Sequence, residues 1–208
     1  MYHVEIFEKE IKTEDYVRDY VNVGEFIKYC MECPNYGTVW SCPPFDFDAE
    51  SYWKNFSSLY LTARRIIFDG ETDMYRGIEI MHEVKGDMSR QLYEMEAQNP
   101  GSVSLSAGSC SMCKKEGFAG CTRSEGKPCR HPELMRYSIE AIGGNVGLTV
   151  SKLMGIELEW VTEGKLPSYF AWPWSFMANA PCQPSSSTPP AKVSSEISIS
   201  SNPAVSST

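Results

Sequence analysis

Two tight groups hold seven of the chain's eight cysteines, and their spacing constrains the fold more than any other feature of the sequence. Such groups bring several thiolates to one point without straining the backbone, and thiolate is the ligand that zinc and iron–sulfur centres select. The sequence therefore predicts loops that are shaped around a metal. The first cysteine group is Cys30, Cys33 and Cys42, and the second cysteine group is Cys110, Cys113, Cys121 and Cys129.

The composition is that of a globular protein with a core of its own. The 208 residues are 42% hydrophobic and 22% charged, so the cysteines are not needed to staple a minimal scaffold. A net charge of −8 argues against a nucleic-acid partner, because phosphate backbones select basic surfaces. No window approaches the ~18 apolar residues of a membrane span, and the first residues lack a secretory pattern. We therefore expect a cytoplasmic protein whose thiols stay reduced.

Hydrophobic periodicity predicts the fold class α/β (α+β), with a small mixed sheet, flanking helices and two cysteine-rich metal-binding loops. The clearest element is a helix over 74–98, where apolar residues recur at three- and four-residue steps. Strands are predicted over 2–11, 59–68 and 103–107. A further helix is predicted over 132–142, because proline suits the first helical position.

Composition changes abruptly near residue 170, where charged residues give way to serine and proline. We expect a cysteine-rich metal-binding α/β domain over 1–170 and a disordered Ser/Pro-rich tail over 171–208. The apolar residues at 171–174 resemble the start of a strand that the tail cuts short. The eighth cysteine, Cys182, lies in this tail and is excluded from the metal site.

The second cysteine group is a self-sufficient set of four ligands. A helix that begins at Pro132 would direct its partly positive N-terminus at Cys129, and Arg130 and Lys127 would add positive charge. That arrangement stabilises an anionic 4Fe–4S cube, so Arg130 and Lys127 are the predicted cofactor-binding residues. Zinc with four cysteine ligands is the alternative, since a C-x2-C pair is also its signature.

The first cysteine group is one thiol short of a closed site, and three possibilities stay open. The fourth ligand comes from elsewhere, such as His3, His82, His131 or a carboxylate. A cube with one open iron would instead act as a Lewis acid. Finally, the three thiols would help to complete a centre that is shared with the second group.

Several short motifs resemble those of one family. They are Cys30-x2-Cys33 with Tyr36-Gly37, the run Trp40-Ser41-Cys42-Pro43-Pro44-Phe45, Gly108-x-Cys110-x2-Cys113, Pro128-Cys129-Arg130-His131-Pro132, and Arg136-x-Ser138-x-Glu140-Ala141-x-Gly143. In this combination, over about residues 24–170, the chain resembles a prokaryotic family of predicted metal-binding proteins that share a domain of unknown function.

The resemblance implies a metal or iron–sulfur role, common in anaerobes, and implies no substrate. The last motif contributes three polar side chains that would orient the metal ligands or hold a bound anion. These residues are Arg136, Ser138 and Glu140. Alternatively, Arg136 and Glu140 form an i,i+4 pair on a helix.

The leading hypothesis is therefore a 4Fe–4S cluster-binding protein with one or two clusters, from an anaerobic prokaryote. Its role would be electron transfer, or cluster-assisted redox chemistry, with a redox protein as partner. No Ser/His/Asp set, phosphate loop or dinucleotide fingerprint defines a reaction, so an enzymatic activity is left open. The alternative is a zinc-binding structural or interaction module without redox activity.

Overall fold

A four-stranded antiparallel sheet forms the centre of the computed structural model, which describes residues 1–159 and 166–179. The strand order is β1-β2-β4-β3, so the last strand along the chain lies between the second and the third. The pairings β1–β2, β2–β4 and β3–β4 are all antiparallel. The strands are β1 (Tyr2–Lys12), β2 (Ser58–Phe68), β3 (Val103–Leu105) and β4 (Tyr169–Ala178).

Helices flank the sheet, and the longest of them matches the predicted span. Asp73 caps this helix, because its carboxylate accepts a hydrogen bond from the Arg76 backbone N–H at 2.9 Å. Pro100 follows the last turn and cannot continue it. The helices are α1 (Thr13–Tyr20), α2 (Val23–Glu32), α3 (Ala49–Trp53), α4 (Met74–Gln98), α5 (Met112–Lys115) and α6 (Val146–Leu148), with 3-10 turns at Thr122–Glu125 and Glu140–Ile142 and a π turn at Thr149–Leu153.

Strand β2 divides the core between the two faces of the sheet, because successive side chains point to opposite faces. On one face, Ile66 packs with Trp174 and Phe176 of β4. The apolar stripe of α4 covers this face with Ile80, Val84, Met88 and Leu92. On the other face, Leu59 and Leu61 pack with Tyr16, Trp53, Ile139 and Ile142.

The predicted fold class is confirmed, with a sheet that is antiparallel among its four strands. Within the described residues, no helix is long and apolar enough to cross a membrane.

The predicted helix over 132–142 is wrong, because only its last three residues form a 3-10 turn. Backbone groups in this stretch bond across the molecule instead. Ser138 N–H donates to the Ser41 carbonyl at 3.2 Å, and Ile139 N–H donates to the Ser106 carbonyl at 2.9 Å. These tertiary bonds replace the i to i−4 ladder that a helix needs.

The predicted domain boundary after residue 170 falls inside β4, so residues 171–178 belong to the sheet and not to a tail. The boundary was predicted from composition, because charged residues give way to serine and proline near residue 170, and it therefore cut the strand short. Proline is disfavoured in central strands, but Pro173 lies beyond residues 175–177, over which β4 pairs with β3 in the described part of the chain. The rest of the predicted tail, from residue 180, lies outside the described residues and stays a prediction.

Candidate metal centre

The four thiols of the second cysteine group line one cavity of about 80 Å³. Cys113 lies in the short helix α5, and Cys110 precedes it in the chain. Cys121 and Cys129 come from either side of the 3-10 turn at Thr122–Glu125. None of the four forms a disulfide. The loop therefore turns back on itself and presents all four sulfurs to a single space.

The electrostatics of this cavity show that its sulfurs are neighbours. Burial raises the pKa of Cys110, and the negative charges of Cys129, Cys121 and Cys113 raise it further, while a hydrogen bond from the Met112 backbone N–H opposes the rise. Several thiolates so close together repel each other, so a cation bound among them would relieve a repulsion that is built into the loop.

Cys129 shows the same balance. Burial raises its pKa, with a further contribution from Cys121 and Cys113, and the His131 backbone N–H donates to its sulfur and lowers the pKa. Peptide N–H groups that donate to sulfur are a recurrent feature of metal–thiolate sites, where they tune the metal. Two of the four sulfurs thus have a backbone donor.

The chemistry of these side chains, rather than their arrangement, indicates a metal. Within residues 1–159 and 166–179, no three Cys, His, Asp or Glu side chains are arranged to hold a metal ion. The donor set fits a thiolate centre by its four free thiols and their common cavity.

The predicted cofactor-binding residues, Arg130 and Lys127, are not among the described residues that line the cavity. Arg130 donates to the Gly120 carbonyl at 3.0 Å, and its guanidinium lies 4.2 Å from the ring centroid of Phe118. The Lys127 ammonium pairs with Glu125 at 2.7 Å. Both side chains therefore contact other residues of the loop that carries the four cysteines.

The first cysteine group gathers at the end of α2. Cys30 lies in the last turn of that helix, Cys33 follows it and is exposed, and Cys42 is buried in the loop beyond. Burial raises the pKa of Cys42 to about 11, with smaller contributions from Cys33, Cys30 and Glu140. Glu140 also contributes to the raised pKa of Cys30, after burial and Cys33. Three sulfurs and one carboxylate therefore interact electrostatically here.

The two cysteine groups are directly linked through hydrogen bonds. The Cys110 backbone N–H donates to Ser41 Oγ at 2.9 Å, and the same oxygen lies 3.7 Å from Cys42 Sγ. A second link joins Asn35 Nδ2 to Ser109 Oγ at 3.2 Å. Serine 41 is thus in contact with one member of each group.

Arg123 also links the two loops, through hydrogen bonds of its side chain. Its guanidinium donates to the backbone carbonyls of Val39, Cys42 and Pro44 and lies 5.1 Å from the ring centroid of Trp40. One arginine of the second loop therefore fixes three carbonyls of the first. Its position in the sequence, between Cys121 and Cys129, gave no signal of this role.

The three histidines that are candidate fourth ligands of the first cysteine group lie in different parts of the fold. His131 lines the four-cysteine cavity, with Nε2 2.8 Å from Glu116 Oε2, close enough for an ion pair but not aligned as a hydrogen bond. His3 pairs with Asp69 at 2.8 Å. His82 is exposed on α4. Of the three, only His131 lines the cavity of the second group.

Glu140 is the candidate site residue whose partners sequence reasoning predicted least well. It does not pair with Arg136 on a helix. Its Oε2 accepts hydrogen bonds from the Gly108 backbone N–H at 3.2 Å and from Ser138 Oγ. Arg136 instead forms an ion pair with Glu96 of α4, and both side chains are largely buried. The predicted i,i+4 pair is wrong because residues 136–139 are not helical.

Comparison with known proteins identifies the family of this chain. Residues 9–172 match the family model described as predicted metal-binding protein, DUF2284. The chain belongs to this family. The match covers both cysteine groups, Glu140 and the first part of β4, so the family domain includes every element described around the site. Nothing matches this DUF2284 protein among curated proteins or among solved structures.

Proposed function

We propose that this protein binds a 4Fe–4S cluster through Cys110, Cys113, Cys121 and Cys129 and passes electrons to a partner protein. The observation that carries the proposal is the single cavity that all four free thiols line. A cluster of this kind supplies one-electron redox chemistry when it is bound. The membership of a metal-binding family supports the coarser part of the proposal.

The spacing of the four cysteines favours a cluster over a single ion. Paired C-x2-C units are the signature of zinc sites with four cysteine ligands. Here Cys110 and Cys113 form one such pair, whereas Cys121 and Cys129 are single thiols, each separated by seven residues from the preceding cysteine. In a four-iron cube each sulfur binds a different iron atom, so the four thiols need not meet at one ion.

Residues of the chain itself would tune this centre. The N–H groups of Met112 and His131 donate to two of the sulfurs, which stabilises negative charge on them. His131 lines the same cavity and lies close to Glu116. The neighbouring group of Cys30, Cys33 and Cys42, with Glu140 as a carboxylate donor, would hold a second centre.

Anaerobic purification followed by a visible spectrum and by iron, sulfide and zinc quantification tests the proposal. We expect a brown protein with broad visible absorbance and with iron and sulfide in equal amounts. Cys182→Ser is the matched control, because it removes a thiol that the sequence places outside both groups, and it should keep the same iron content. A colourless protein with stoichiometric zinc would overturn the proposal and support the zinc-binding module.

A further inference from the structure

A second, larger cavity of about 280 Å³ adjoins the four-cysteine cavity, and the two share Ser109, Cys110, Ser111 and Met112 in their linings. Its volume lies near the lower end of the ~300–1,000 Å³ that small-molecule sites occupy. It lies between α4 and the loop that follows β3, and Trp174 of β4 contributes to its lining.

The lining of this cavity is strongly cationic. Among the described residues, four positively charged side chains line it and no Asp or Glu does. Two of the four are already neutralised, since Arg136 pairs with Glu96 and Arg90 pairs with Asp87. The four cations are Lys85, Arg90, Lys115 and Arg136.

The other two cations, Lys85 and Lys115, have no ion-pair partner within the described part of the chain. The Lys85 ammonium donates to the Ala107 carbonyl at 3.2 Å and lies 4.9 Å from the ring centroid of Trp172. Burial lowers the pKa of Lys85, and the positive charge of Lys115 lowers it further, while the negative charges of Glu140 and Cys110 oppose this fall. The two ammonium groups therefore repel each other, and a bound anion would relieve that repulsion.

Hydroxyl groups add donors at the same place. Ser109 Oγ accepts a hydrogen bond from Asn35, which leaves its own hydrogen free to donate. Ser111 precedes α5 and makes no capping hydrogen bond with its side chain. The remainder of the lining includes apolar surface from Leu92, Leu134 and Trp174. The cavity thus combines cationic and hydroxyl donors with an apolar wall.

We propose that this cavity binds a small organic carboxylate, with the carboxylate between Lys85 and Lys115 and the apolar part of the molecule against Leu92, Leu134 and Trp174. Since Cys110 lines both cavities, the ligand would lie beside the proposed cluster and would be its substrate or a ligand that adjusts its potential. The binding site itself depends on the charges of the cavity and not on the identity of the metal.

Benzoate is a suitable probe, with benzamide as its neutral isostere, and calorimetric titration of the intact protein measures both. We expect saturable binding of benzoate that weakens at high ionic strength, and much weaker binding of benzamide. Lys85→Gln should weaken benzoate binding about tenfold or more, because it removes a half-buried charged donor. Lys115 is exposed, so Lys115→Gln should weaken benzoate binding by a smaller factor, about two- to fivefold.

Lys9→Gln is the matched control, because it makes the same change of net charge on β1, at the opposite edge of the sheet from β3. It should leave benzoate binding unchanged. The proposal is overturned if benzoate shows no saturable binding, if benzamide binds equally well, or if both cavity variants bind benzoate as the unchanged protein does. Tight binding of inorganic phosphate without binding of benzoate would also overturn it. Iron, sulfide and zinc contents of the same samples distinguish this failure from a failure of the proposed cluster.

Discussion

The two cysteine groups lie side by side, yet they differ in how much of a metal site each one supplies. The second group provides four sulfurs from one loop of twenty residues, and all of them line one cavity. The first group provides three sulfurs, and the carboxylate of Glu140 that faces them comes from a distant segment. The second group thus has all its candidate ligands in one stretch of sequence. The first group obtains its fourth candidate ligand only when the chain folds.

This difference also appears in the protonation of the thiols. Cys42 of the first group is buried beside a carboxylate, and its pKa rises to about 11. Burial also raises the pKa of Cys110 of the second group. A hydrogen bond opposes the rise in both groups, from the Ser41 hydroxyl to Cys42 and from the Met112 N–H to Cys110. The two thiols differ in that the carboxylate of Glu140 contributes to the raised pKa of Cys42 but not to that of Cys110.

Cys113→Ser is the variant that should separate the two groups most strongly. Cys113 is 8% exposed and lines the four-cysteine cavity, so we expect the second group to lose its metal. Because metal binding is coupled to folding, the free energy of unfolding should fall by more than about 4 kcal/mol. Iron quantification and urea denaturation measure the two effects.

The exposed Cys33 of the first group provides the control for that experiment. Cys33→Ser should leave the metal of the second group in place and cost less than about 1 kcal/mol of unfolding free energy. Equal metal loss in both variants would contradict the comparison and would indicate one centre that both groups share.

The ease with which each region could be predicted from sequence follows the same division. Local patterns sufficed for α4, whose cap, apolar stripe and terminal proline all lie within one stretch, and for the set of four thiols in one loop. They did not suffice for Arg136, whose partner Glu96 is 40 residues away, or for Glu140, which bonds to Gly108. Long-range partners of this kind leave no periodic signal in the sequence.

Strand β4 illustrates the same limit. Its residues 171–174 carry apolar side chains and resemble the start of a strand, but the serine- and proline-rich segment beyond them placed the predicted boundary at residue 170. The pairing of Leu61 with Ser175, and of Leu59 with Met177, is what makes the segment a strand. Sequence separations above one hundred residues lie outside the window of any local pattern.

Gly143→Ala should weaken the first group through its supporting helix. Gly143 has a φ of +88°, and a Cβ there would lie 2.7 Å from the Val23 Cα at the start of α2, the helix that carries Cys30. Backbone strain and overpacking together predict a loss of about 3 kcal/mol in unfolding free energy. Denaturation in urea measures this loss.

Gly117→Ala is the matched change in the loop of the second group. Gly117 has a φ of +86°, but no atom lies within 4 Å of the added Cβ, so only backbone strain of about 1 kcal/mol is expected. A larger loss at Gly117 than at Gly143 would show that the second loop, not the first, depends on close packing.

Glu96→Gln should loosen the second loop where it meets α4. Burial raises the pKa of Glu96, but the hydrogen bonds from Arg136 and Ser104 outweigh it and lower the pKa overall. Loss of this largely buried pair should cost about 2 kcal/mol at neutral pH. Since the folded-state pKa is lowered, the stabilisation is present above the ordinary carboxyl pKa of about 4.3 and disappears as the pH falls through the lowered value.

The exposed pair of Asp87 and Arg90 on the same helix gives the control for Glu96. Asp87→Asn should cost no more than about 0.5 kcal/mol, because exposed i,i+3 pairs contribute little. The difference between Glu96→Gln and the unchanged protein should shrink on acidification, as thermal melts at several pH values would show. A difference that is the same at every pH would contradict the assigned ion pair.

Glu140→Gln should produce the smallest change and, of the two cysteine groups, should affect only the first. The charge of Glu140 raises the pKa of Cys42 and of Cys30 but does not contribute to the raised pKa of Cys110. Glutamine keeps an oxygen that can accept the Gly108 and Ser138 hydrogen bonds, so the loop should keep its conformation. Without the negative charge, the pKa of Cys42 falls below about 11, and more of this thiol is ionised at neutral pH.

Because the thiolate is the species that reacts, alkylation of Cys42 in metal-free protein should become about two- to threefold faster in Glu140→Gln. Mass spectrometry of peptides after timed exposure to iodoacetamide gives the rate at each cysteine, and Cys110 serves as the internal control with an unchanged rate. Acceleration at Cys110 as large as at Cys42 would mean that Glu140 acts on both groups alike. A carboxylate that acts on the thiols of the first group and not on Cys110, by contrast, would be the fourth donor that the three thiols leave open.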